Sequence, residues 1–261
     1  MKPPPQSPLN REAAVCRVFP HDVTDGPHNM ARDEALLELV ARDPGAAAFR
    51  TYGWVVPTLS LGYFQAIAQA EADPRWRDVA LVRRPTGGGA IWHDREITYA
   101  LAIPRSHPFA RQSGDLYRAV HEAIASLLRD LGVVARRRDA ERTGTAGAPR
   151  PFLCFLDRDP EDLVVGPAKV VGSAQRRRSG TILQHGSVLL SRSPQTPELP
   201  GVDDLADHPA KAPPWALWLE RKIPLSLGFR PEPVTWDSPT LDRAEELASS
   251  VYSTPAWTRR R

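Results

Sequence analysis

The chain has 261 residues, 41% of them hydrophobic and 25% charged, which excludes wholesale disorder and provides for a sizeable buried core. Thirty-four basic residues against 31 acidic ones leave a net charge of +3, too little to argue for a nucleic-acid partner. No apolar run approaches the roughly 18 residues of a membrane span, and the opening MKPPPQSPLNREAAV lacks an apolar signal region, so no membrane association, no secretion and a cytoplasmic location are expected.

Residues 1–12 read as a disordered tail. Residues 15–19 form a short strand, and Asn29 is the expected N-cap of a helix that Pro44-Gly45 ends. Strands are expected at 48–54, 58–64 and 79–85, the last running into Thr86-Gly87-Gly88-Gly89. Two more, 90–94 and 97–103, are joined by a tight turn near Arg95. The clearest helix is 115–131, where Leu116, Val120, Ile124, Leu127 and Leu128 step at three- and four-residue spacing and Gly132 supplies the stop. A strand at 133–138 leads to a small, polar loop at 139–150, expected to be mobile. Strands follow at 162–165, 168–175 and 181–190, the last two as a hairpin around Arg178-Ser179-Gly180. Many of the 27 prolines fall in 192–240, which is expected to be irregular before a final helix at 239–252. Residues 253–261 read as a basic tail, leaving 13–252 as a single domain. There is no internal repeat. The fold class is α+β, a mixed, largely antiparallel sheet flanked by helices.

Three segments could carry chemistry. Three adjacent glycines in a strand setting are locally costly. They suit a backbone that approaches a ligand closely or a nest of N–H groups, with Arg83 and Arg84 placed to hold a carboxylate or phosphate. The alternative is an ordinary glycine-rich turn with two surface arginines. In Lys169–Gln175, strand alternation puts Lys169, Val171 and Ser173 on one face. Lys169 is then a point charge for a carbonyl or phosphate, or an edge-strand guard against aggregation. Cys154, between apolar neighbours, is an inert core residue unless a cation such as Lys169 meets it. Cys16 reads as core. Two cysteines cannot build a disulfide framework, and His21, His28, His107, His121 and His208 show no ligand spacing, so no metal site is expected. His93 and His185 are either general bases or hydrogen-bonded structural histidines. The arginine run 176–178 is either a solvated face or a positive rim.

These segments together resemble the lipoate–protein ligase A and octanoyltransferase family, whose catalytic domain is shared with biotin–protein ligases. The carriers are the Asn29–Leu37 segment, PTLSLGYFQ at 57–65, RRPTGGGAIWHD at 83–94, KVVGSAQRR at 169–177 and ILQHGSVLL at 182–190. The resemblance implies attachment of an octanoyl or lipoyl group to one lysine of a lipoyl carrier domain, either the glycine-cleavage H protein or a 2-oxoacid dehydrogenase acyltransferase subunit. It implies substrate contacts at Arg83, Arg84, Thr86, Gly87, Gly88, Gly89, His93, Gly172, Ser173, Ala174, His185 and Gly186. In one branch octanoyl comes from acyl carrier protein through a cysteine thioester, with no cofactor. In the other, ATP and magnesium activate free lipoate as an acyl-adenylate. The Cys154-Phe155 pair, fifteen residues before Lys169, is similar to the thioester branch, with both residues catalytic. The proline-rich residues 191–261 do not resemble the accessory domain that many ligases carry. The alternative is an ATP-dependent lipoate–protein ligase, and a third reading is a catalytically silent homologue that binds an acyl chain or lipoyl domain. The sequence departs from the family's usual double lysine, with Gly166-Pro167-Ala168-Lys169 in its place.

Overall fold

The computed structural model describes residues 13–138, 150–157, 159–206 and 214–261; the expected 1–12 tail and the 139–150 loop, except Arg150, lie outside them. In chain order the strands are β1 (Val15–Val18), β2 (Asp22–Thr24), β3 (Ala47–Trp54), β4 (Thr58–Leu61), β5 (Ala80–Arg83), β6 (Ile91–His93), β7 (Glu96–Pro104), β8 (Arg136–Arg137), β9 (Leu163–Val165), β10 (Ala168–Arg178), β11 (Thr181–Leu189) and β12 (Arg230–Pro233). The helices are α1 (Gly26–Arg42), α2 (Ala68–Glu71), α3 (Ser113–Asp130), α4 (Val202–Leu205), α5 (Trp215–Ser226), α6 (Ser238–Leu247) and α7 (Pro255–Thr258).

Among the described residues, nine strands form one sheet in the order β12-β1-β3-β7-β11-β10-β9-β8, with β2 beside β3. β1 runs parallel to both its neighbours, β2 runs parallel to β3, and the remaining pairs are antiparallel. A three-stranded sheet, β5-β4-β6, packs its own smaller core. The turn near Arg95 therefore joins two sheets rather than closing a hairpin.

The alternation in β3 and β7 explains how the large sheet buries both faces. Phe49, Leu101 and Ile103 point to a core built with Leu116, Val120 and Ile124 of α3 and Leu219 and Ile223 of α5. Ala48, Ala100 and Ala102 point the other way, where their small side chains meet Met30, Leu36, Leu37 and Val40 of α1 and Leu247 of α6. α3 forms where its apolar spacing predicts.

Four expectations change. α1 starts at Gly26, capped by Asp25, which accepts the His28 N–H at 3.0 Å, with Pro27 in the first turn. Asn29 is not its cap; it lies buried inside the helix, accepting from Arg50 Nη2 at 2.8 Å and donating to the Gly53 carbonyl at 3.0 Å. The 192–240 segment is not irregular throughout, because α5 covers one face of the sheet and β12 extends its edge. The 253–261 tail is docked: Arg83 Nη2 donates to the Thr258 carbonyl at 2.9 Å and Trp257 Nε1 to the Arg83 carbonyl at 2.9 Å. Strict alternation fails in β10, where a bulge between Lys169 and Val171 sends both Val170 and Val171 into the α3-side core. Val171 does not share a face with Lys169.

Candidate active site

Cys154 opens a single 3-10 turn, Cys154–Leu156, and its backbone is tied to the end of the glycine loop. The Cys154 N–H donates to the Ala90 carbonyl at 2.7 Å, and the Ala90 N–H to the Phe152 carbonyl at 2.8 Å. This close approach requires Gly89, since a Cβ there would lie 3.0 Å from both the Cys154 nitrogen and the Phe152 oxygen. Part of the glycine signal in the sequence therefore comes from chain packing on chain, which brings the thiol to the loop.

Lys169 meets Cys154 from β10. Its Nζ donates to the Cys154 carbonyl at 3.0 Å and lies 3.6 Å from Sγ. Asp162, immediately before β9, places Oδ2 2.9 Å from the same Nζ. Gly172 makes room for the lysine stem, because a Cβ there would stand 2.7 Å from Lys169 Cε. Burial works against the lysine's charge, but the sulfur and the Asp162 carboxylate outweigh it and hold its pKa above the usual lysine value. Burial pushes the Asp162 carboxyl up, with Lys169 opposing. Asp162 escaped the sequence reading; its one signal is an acidic residue leading directly into the apolar run Leu163-Val164-Val165.

The two arginines do not project into solvent to await an anion. Arg83 is fully buried and spends its donors on carbonyls of Gly62, Gln65 and Thr258. Arg84 donates to the Ser60 carbonyl and hydroxyl at 2.8 and 2.6 Å and to the Gly89 carbonyl at 2.8 Å, so it shapes the loop from behind. Its Nε is buried without an acceptor among the described residues. Burial lowers the Arg84 pKa to about 10, which leaves it charged at neutral pH.

Both motif histidines have both ring nitrogens engaged. His93 meets Ser60 Oγ at 2.7 Å and Glu96 Oε1 at 3.0 Å and stacks on Trp54; burial lowers its pKa and favours the neutral ring. His185 bridges Thr86 Oγ1 at 2.6 Å and Asp33 Oδ2 at 2.8 Å, and so couples α1, the glycine loop and β11. Asp33 in turn faces Arg50 at 3.3 Å. Neither ring has a nitrogen left over as a general base. Ser173 Oγ lies between Tyr99 Oη at 2.6 Å and His121 Nε2 at 2.7 Å, and burial keeps His121 neutral down to about pH 4.

A narrow cleft, partly open to solvent and with a free volume of about 20 Å³, runs between the two sheets. Cys154 lies on its wall with Gly87, Gly88 and Arg84. β10 and β11 contribute Gly172, Ser173, Ala174, His185 and Gly186, and Met30, Tyr52 and Ile91 add apolar surface. The structure thus brings most of the sequence-derived residues to one cleft; Arg83, Thr86 and Gly89 do not line it, and Lys169 lines a neighbouring cavity of about 260 Å³ with Phe155 and Leu199. Of the arginine run, Arg178 pairs with Glu34, and Arg176 and Arg177 reach the Pro85 and Ala110 carbonyls at 3.5 Å. No described helix is long and apolar enough to cross a membrane. Among the described residues, no group of three or more His, Cys, Asp or Glu side chains could hold a metal ion.

A buried lysine thus stands beside a cysteine that lines a cleft between the glycine loop and a β-hairpin. The chain matches the family model of the lipoyl protein ligase A/B catalytic domain over residues 25–196 and belongs to that family. A curated relative, octanoyltransferase LipM of Kyrpidia tusciae, is 43% identical over 173 residues, which is 64% of this chain and 63% of the relative. The chain spans less than two thirds of the length of the curated relatives it matches. Protein Ta0514 of Thermoplasma acidophilum shares the fold at TM-score 0.76 and 22% identity, over 95% of this chain and 100% of that one. A bi-partite lipoate protein ligase of the same organism, described with its E2 lipoyl domain, aligns at TM-score 0.69 and 21% identity, over 94% and 96%.

Proposed function

We propose that this protein moves an octanoyl group from an acyl carrier protein thioester to the lysine of a lipoyl carrier domain, through a thioester on Cys154. The observation that carries the reading is the 3.6 Å approach of Lys169 Nζ to Cys154 Sγ on the wall of an apolar-lined cleft. The octanoyltransferase relatives point to the eight-carbon acyl group. About seven apolar carbons lie beyond the carbonyl, and at roughly 0.8 kcal/mol per buried CH₂ their burial contributes about 6 kcal/mol, enough to reject much shorter acids.

The Cys154 thiolate, paired with the Lys169 ammonium, attacks the carbonyl carbon of the donor thioester. The new C–S bond forms, the bond to the carrier's sulfur breaks, and the departing thiolate takes up a proton. The carrier-domain lysine, as free amine, then attacks the Cys154 thioester. The amide forms, the attacking nitrogen releases its surplus proton to solvent, and the cysteine sulfur leaves as thiolate beside Lys169. Thioester-to-thioester exchange is nearly balanced in energy, so no nucleotide is required. The Lys169 ammonium also lies where it can stabilise the oxyanion of each tetrahedral intermediate. A ligase that activates free lipoate with ATP has no use for a thiol at this point, and the thiol's placement favours the transferase.

The test is to trap the intermediate. After incubation with octanoyl-loaded acyl carrier protein, with no acceptor and no ATP, the intact protein should gain one octanoyl group that neutral hydroxylamine removes. Cys154→Ala should gain nothing. An unmodified wild-type protein that still loads the acceptor domain would contradict the thioester route.

A further inference from the structure

The Lys169 ammonium has three N–H donors. One meets Asp162 Oδ2 at 2.9 Å, one the Cys154 carbonyl at 3.0 Å, and the third faces Sγ at 3.6 Å. The carboxylate is thus the closer partner of the charge. Asp162 is 4% exposed and is itself fixed, its Oδ2 accepting the Asp159 N–H at 2.8 Å. β9 carries Asp162 across the turn from β10, and Gly172 leaves the space in which lysine and carboxylate meet.

We infer that Asp162 is a positioning residue of the cysteine–lysine pair: it acts through Lys169, shares that ammonium with Cys154, and so sets how much of the charge the sulfur feels. The inference takes from the proposed function only that Cys154 is the reactive thiol. With Asp162 present, carboxylate and ammonium cancel before the thiol ionises, and ionisation leaves the buried cluster net negative. With Asn at 162, the cluster begins net positive, and ionisation neutralises it. Burying net charge is costly, so the two cases favour thiolate to different degrees.

Other charged or titratable groups face the cluster. Arg84 comes from beside the glycine loop, His121 from α3, Asp159 from the turn before β9, and Arg138, Asp157 and Glu198 line a cavity with Lys169, with Arg137 and Glu161 beyond His121. His121 is neutral above about pH 4, and Arg137 pairs with Glu161 at 3.2 Å. Each of these is unchanged by substitution at 162 or 169, so a difference between variants reports the central pair.

The experiment measures the rate of Cys154 alkylation by iodoacetamide against pH, read by peptide mass. Asp162→Asn should move the midpoint of the rate profile down by about one pH unit, roughly tenfold in thiolate fraction at the acid end. Lys169→Met should move it up by about as much or more. Loss of packing does not produce shifts of opposite sign. A midpoint in Asp162→Asn equal to or above the wild type overturns the inference. If that variant does not fold, adding it to Lys169→Met reads the same effect, and the double variant should fall below Lys169→Met. Alkylation involves no acyl group. Opposite shifts in a protein that transfers no octanoyl would uphold the placement and refute the proposed function; octanoyl transfer with unshifted midpoints would do the reverse.

Discussion

The two cysteines show what surroundings do to one side chain. Cys16, in β1, is fully buried among the apolar residues under α3 and α5, and its sulfur has a 4.0 Å contact with the Arg17 carbonyl. Burial pushes its thiol far above the ordinary range, so it packs as a small apolar group. Cys154 is half-buried on a cleft wall, with an ammonium 3.6 Å from its sulfur. Reactivity here follows from the cation and the access, and both depend on distant chain: β10 supplies the lysine and the glycine loop fixes the backbone.

Breaking the contrast at Cys154 should have the largest effect. Cys154→Ser should lower octanoyl transfer by roughly a thousandfold or more, whereas Cys16→Ala should keep it within about twofold, both measured as acceptor mass gain per minute. Lys169→Met comes next, with a loss of about a hundredfold, because the substitution removes the ammonium and leaves Asp162 buried without its ion partner. Gly172→Ala should cost about tenfold, since the added methyl displaces the lysine stem, while a thermal melt shows a much smaller change than the activity does. The weakest expected effect sharpens the other side of the comparison. The Cys16 pKa is higher in the folded than in the unfolded chain, so its contribution to stability is complete below about pH 9 and is lost as pH rises above that value. Denaturant melts from pH 8 to 10 should show a decline that is shallower in Cys16→Ala.

How much of this was legible in the sequence depended on the range of the signal. α3 announced itself through leucines spaced along one face, and the β10–β11 hairpin through the Ser179-Gly180 turn. α5 was hidden because it lies among prolines and contains Pro224. The α1 boundary was misplaced because Asn29 has the chemistry of a cap but binds Arg50 of β3, while the Asp25-Pro27 signal stood four residues earlier. At the site, the residues alone left Cys154 and Lys169 with open alternatives, and it was the resemblance to the family that gave them and their neighbours a role. Arg83 and Arg84 look in sequence like anion ligands, and only the tertiary fold shows them spent on backbone carbonyls. Asp162 acts across a β-turn and a bulge, a relation that no local pattern encodes.

The most direct measurement is the intact mass of a lipoyl carrier domain after incubation with this protein and octanoyl-loaded acyl carrier protein in the absence of ATP. The account predicts a gain of one octanoyl group with the wild-type protein and none with Cys154→Ser. No gain with the wild type, followed by modification of the same acceptor once octanoate, ATP and magnesium are supplied, would contradict it and return Cys154 to the same passive role as Cys16.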